Sequence, residues 1–178
     1  MSTAETPASQ GSPFWRFSLR FYRQPQVADA CIALQEEAGV DVNLLLFLLW
    51  HATRERAFSR AEVEELERRV GPWRNMTVVP LRALRRALKA PPALVQAGAA
   101  EAFRTRIKAV ELEAERLQQE AMYELARAAP LGTAAASPEA AARANIAAYE
   151  KGCSAAFPKP AVETLLTAFT RLEHKSEE

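Results

Sequence analysis

The stretch VDVNLLLFLLWHATR, residues 40–54, sets four side chains that could bind a ligand, Asn43, Trp50, His51 and Arg54, in an otherwise apolar run. On a helix, Asn43, Phe47, Trp50 or His51, and Arg54 fall at i, i+4, i+7 or i+8 and i+11, which draws a thin polar stripe along one side. Such a stripe, with Arg16 as a neighbour, can form the floor of a small-molecule pocket in a binding protein or an enzyme. The structural alternative makes Asn43 a first-turn residue beside the cap and His51 a satisfied or half-exposed side chain, bonded to Arg16, Tyr22 or the backbone. Satisfaction of this kind is expected, because a buried amide or imidazole without a partner costs roughly 1–3 kcal/mol.

A second chemical feature is cationic. In VVPLRALRRALK, residues Arg82, Arg85, Arg86 and Lys89 share one helical face, with Trp73 and Arg74 just before it. This face can contact an acidic protein or neutralise phosphates, or it can pair with Glu62, Glu64, Glu65 and Glu67 of the preceding helix. Nucleic acid is the weaker expectation, because no recognised binding module accompanies the patch.

Other chemistry is poorly served. His51 and His174 are the chain's two histidines, and Glu113, Glu120 and Glu124 lack the Glu-x-x-His pairing of di-iron bundles, so no metal and no cofactor is expected. Cys31 falls on an inward stripe, where a thiol acts as a small hydrophobe with a raised pKa. There is no G-x-S-x-G elbow and no glycine-rich phosphate loop, so the residues do not advertise an enzyme.

The totals narrow the partners. The 178 residues carry 23 basic and 22 acidic side chains, a net charge of +1, so no whole-molecule field draws the protein to nucleic acid or an anionic membrane. The apolar fraction of 49% and charged fraction of 25% are those of a soluble globular chain. Cys31 and Cys153 lie far apart without a CxxC motif and fit reduced thiols in a cytoplasm. The apolar run from Val42 to Ala52 is far short of the ~20 residues of a membrane-spanning helix.

Helices must position these groups. Ser12-Pro13 starts one with Phe14, Phe17 and Phe21 on a face, and Pro25 opens a second that Gly39 ends. Asp41 caps the third, and Ser59 with Glu62 caps a fourth that Gly71-Pro72 stops. A fifth buries Leu81, Leu84 and Leu88. Pro91-Pro92 marks a boundary, and from Glu101 to about Ala128 the residues Phe103, Ile107, Val110, Ala114, Leu117 and Ala121 alternate steps of four and three. That seam suits one or two partner helices, either the chain's own last two or, through Phe103, Ile107, Val110 and Leu117, a protein partner or second copy. PLGTAAASP reads as a flexible loop before an alanine-rich helix from Ser137-Pro138 and a last helix carrying Leu165 and Phe169.

The segment from Phe14 to Arg54, with Trp73 and then VVPLRALRRALK, resembles a proteobacterial family of short, uncharacterised helical proteins, a domain of unknown function. The motifs DVNLLLFLLW and PLRALRR carry the likeness, which covers Phe14 to Lys89, weakens along the long helix and fades after Pro130. It implies a bacterial, cytoplasmic, all-helical protein and no particular activity.

The expectation is an all-α protein with a polar tail over residues 1–12, a compact helical unit over 13–90, and over 91–175 a long helix plus C-terminal helices that bundle with it and continue the same domain. Its expected role is non-catalytic protein binding or regulation through the basic helix and the seam.

Overall fold

A computed structural model of the chain describes residues 11–174. The N-terminal tail over 1–10 and the end of EHKSEE over 175–178 lie outside the described residues. In chain order the elements are α1 (Pro13–Tyr22), α2 (Val27–Ala38), α3 (Val42–Ala52), β1 (Arg56–Ala57), α4 (Arg60–Trp73), a π turn (Arg74–Val78), α5 (Val79–Ala87), α6 (Ala97–Ala128), β2 (Thr133–Ala134), α7 (Pro138–Gly152) and α8 (Lys159–His174). The fold is all-α, as expected, with one small departure. β1 and β2 pair antiparallel, Arg56 opposite Ala134, inside what reads as a plain loop. Gly132 permits that approach at φ 67, where a Cβ would lie 2.7 Å from the Ala57 carbonyl oxygen.

The predicted helix starts form for local reasons. Ser12 Oγ accepts from Trp15 N–H at 3.1 Å, and Ser137 Oγ from Ala140 N–H at 3.1 Å. Ser59 and Glu62 close a reciprocal capping box. Asp41 Oδ1 accepts from the backbone of Asn43 at 2.9 Å and Leu44 at 3.3 Å, which satisfies two orphan donors of α3.

α3 is the axis of the molecule. Leu44, Leu45, Phe47, Leu48 and Leu49 have no exposed surface, and α1, α2, α6 and α7 pack around them. The C-terminal pair α7–α8 closes the opposite side, α7 against α3 and α8 against α2. Asn145 of α7 rivets this contact: its Oδ1 accepts from Phe58 N–H at 2.7 Å, and its Nδ2 donates to the Leu48 and Arg56 carbonyls at 2.9 and 3.0 Å. No helix among the described residues is long and apolar enough to cross a membrane.

Three expectations about arrangement need correction. α4 does not stop at Gly71-Pro72; it runs on to Trp73, and the π turn joins it without a break to α5. Pro80 cannot donate to the carbonyl four residues earlier and its ring needs clearance there, which the wider turn supplies. Leu84 of α5 is 41% exposed instead of buried, because α5 meets α6 through its arginines. α6 packs on α5, the π turn, α1, α3 and α4, not on the C-terminal pair. Its Phe103, Val110 and Leu117 are accordingly exposed, with Ile107 half-buried.

Candidate functional site

A cavity of about 520 Å³ opens between α1, α2, the start of α3, the π turn and α6. α1 contributes Trp15, Ser18, Leu19 and Tyr22, whose spacing of three, one and three places them on one helical face. α2 supplies Cys31 and Ile32, and Val40 and Leu46 form the inner wall. The π turn brings Val78, and α6 brings Leu112, Glu115 and Gln119. The walls are mostly apolar, with polar groups converging where α3 begins.

There the polar groups form a chain of contacts. Asp41 Oδ2 accepts from Arg74 Nη1 at 3.0 Å and from Gln118 Nε2 at 2.8 Å. Arg74 reaches on to Glu67 at 2.5 Å, and Asp41 N–H donates to Tyr149 Oη at 2.9 Å. Burial works against the Arg74 cation, but the hydrogen bond to Glu67 and the charges of Asp41 and Glu67 outweigh it and raise its pKa. Burial, then the Glu67 and Asp41 charges, also raises that of Tyr149, so the phenol stays protonated. Next along the cavity, Gln119 Nε2 donates to Asn43 Oδ1 at 2.8 Å.

The network leaves orphans. Ser18 Oγ and Gln119 Oε1 have no hydrogen-bond partner, although both residues are 3% exposed and line the cavity. Gln118 Oε1 is also unpartnered, beside a smaller cleft under Trp73 and Met122.

The electrostatics favour a neutral guest. Burial raises the Glu115 pKa against the opposing pull of Arg82, which bonds it at 2.8 Å. Burial pushes the Cys31 thiol up to about 12, so at neutral pH it is a wall and not a nucleophile. Among the described residues no cluster of three His, Cys, Asp or Glu side chains could hold a metal ion.

The polar stripe read from the sequence is split. Asn43 lines the cavity, but Trp50, about 10 Å further along α3, and Arg54, just past the end of that helix, line a separate depression with Arg16. There the Arg54 guanidinium stacks 3.8 Å from the Trp50 ring centre, and Arg16 donates to the Gly11 carbonyl at 2.8 Å. Arg16 therefore does not satisfy Asn43 or His51, as the sequence suggested it could. His51 instead sits among the rings of Phe47, Trp50 and Phe58 at 4.6, 4.9 and 5.1 Å, with Nε2 unpartnered. Burial, and then the charges of Arg54 and Arg56, bring its pKa down to about 4.

The arginines of the basic face are paired internally; Arg74 meets Glu67, one of the glutamates expected, and those of α5 meet others. Arg82 bonds Glu111 at 3.1 Å as well as Glu115, Arg85 pairs with Glu111, and Arg86 pairs with Glu36 at 2.9 Å. Lys89 is exposed. Trp73 Nε1 donates to the Ala114 carbonyl at 3.0 Å, which makes it a brace between α4 and α6. Sequence reasoning missed Ser18 and Gln119. Ser18 sits beside the phenylalanine face of α1, and Gln119 lies next to a seam that drew attention to its neighbours.

No curated protein and no solved structure matches the chain. Residues 13–122, from the first turn of α1 into the last third of α6, match the family described as "Protein of unknown function (DUF2390)", and the chain belongs to that family.

Proposed function

We propose that this protein binds a small, neutral amphipathic molecule in the cavity between α1, α2, α3 and α6. One observation carries the reading: Ser18 and Gln119, two residues that line the cavity, hold Oγ and Oε1 buried without hydrogen-bond partners. An unmade buried hydrogen bond costs roughly 1–3 kcal/mol, so two in one lining are well explained by a guest that supplies the missing contacts. The volume, about 520 Å³, is that of a small-molecule site. Saturation-transfer NMR with benzamide, indole and 2-naphthol tests it on the wild type and on Ile32→Trp. Ile32 is 43% exposed at the cavity, so the larger ring can fill the space with little strain in the core. Transfer that the variant abolishes supports the reading; equal transfer in both proteins, or none, overturns it.

A second reading concerns α6, where Phe103, Val110 and Leu117 are 44, 47 and 52% exposed at seven-residue intervals. This stripe would suit a second copy of the chain packed along α6. Multi-angle light scattering should then show a dimer that Val110→Glu converts to monomer, whereas a wild-type monomer at high concentration removes the idea.

A further inference from the structure

The Asn43–Gln119 pair narrows the choice of guest. Two primary amides hold two oxygens and two NH₂ groups, and the single hydrogen bond between them uses one of each. Left over are Asn43 Nδ2 as a donor and Gln119 Oε1 as an acceptor, on two residues that line the cavity. Exchanging N and O in both amides keeps their mutual bond and only swaps which residue offers the donor, so the pair presents one donor and one acceptor either way.

The buried charges beside the pair are already matched, while Arg23, also on the cavity lining, is exposed. Asp41 uses Oδ1 on two backbone N–H groups and Oδ2 on Arg74 and Gln118. Arg82 faces Glu111 and Glu115. A carboxylate guest would set an oxygen against the amide carbonyl, and an ammonium would leave the amide donor unmet in a place where unmet polar groups are expensive. A group with adjacent N–H and C=O satisfies both.

We infer, on the footing of the cavity reading above, that the guest is a carboxamide or lactam carried on an apolar body, and that Asn43 and Gln119 read its amide edge. Ser18, whose hydroxyl is buried without a partner, belongs to the same lining. Trp15, Val40, Leu46 and Val78 hold the apolar body. The selectivity resembles that of any site built to bond a polar edge, where an analogue lacking the group leaves buried partners unpaired.

Binding of benzamide, benzoate, acetophenone, benzyl alcohol and toluene, followed by NMR titration with side-chain amide detection, tests the inference on the full chain. Benzamide should bind at least tenfold more tightly than any of the other four and shift the Asn43 and Gln119 side-chain amide resonances. Gln119→Met keeps the length and should abolish that preference, bringing benzamide down to the affinity of toluene in the same variant. The amide shifts in the wild type give an answer even if the variant folds poorly. Comparable affinities across the series, all lost in Ile32→Trp, would overturn the amide assignment while leaving the cavity reading standing. Absence of any Ile32→Trp-sensitive binding, as for a cavity that holds only water, would take down both.

Discussion

Asn43 and His51 lie eight residues apart on α3 and are about equally buried, at 7 and 6% exposure, yet the two ends of the helix treat a polar side chain in opposite ways. At the Asn43 end, amides and ion pairs from α4, α6 and α7 converge with the π turn, and the network stops short, leaving a cavity. At the His51 end, aromatic rings close around the imidazole, and the cost of burial is met by keeping it neutral. Equal burial therefore does not define a site; what matters is whether the surroundings answer the polar group with partners, with neutrality, or with space.

The contrast can be broken most forcefully at Asp41. Asp41→Ala removes both the cap of α3 and the counter-charge of half-buried Arg74, and should cost about 3–5 kcal/mol in urea denaturation. Asp41→Asn keeps a capping oxygen and should cost distinctly less; equal losses would mean that charge contributes little there.

The His51 end should show itself through pH. Its ordinary pKa is 6.5 and its folded value about 4, so between those values unfolding takes up a proton and stability falls as pH falls. The full loss, reached below pH 4, is roughly 3 kcal/mol from this group. His51→Phe should flatten that part of the stability profile, and an unchanged slope would show that the imidazole is not shielded.

Smaller effects sharpen the picture. Tyr149→Phe strips the partner from Asp41 N–H and should cost about 1–2 kcal/mol. Ser18→Ala gives up no hydrogen bond, so the ligand-free protein should stay within about 0.5 kcal/mol or gain stability. A larger loss would reveal a partner for Ser18 and weaken the case for the cavity.

What could be read from the residues alone was whatever acts over one helical turn. Ser12, Asp41, Ser59 and Ser137 announce helix starts because their partners lie two or three residues away. The stripe on α3 was legible as a periodicity, but not its division, since the groups that meet Asn43 and His51 come from other elements. Gln119 is 76 residues from Asn43, and Glu111 is 26 from Arg85, distances at which spacing carries no signal. Arg82 and Arg85 of α5 therefore looked available when α6 had already claimed them. The exposed seam of α6 misled in the reverse sense: its rhythm promised packing on the C-terminal helices, which pack on α2 and α3 instead.

The π turn at Arg74–Val78 makes the length of the α4–α5 segment as binding as its composition. Each helical residue advances the chain by about 100°, so deleting one here would turn α5 a quarter-revolution or more about its axis. Arg82 and Arg85 would then swing off Glu111, and Val78 off the cavity wall. Through this stretch, substitutions should be tolerated more readily than a single insertion or deletion.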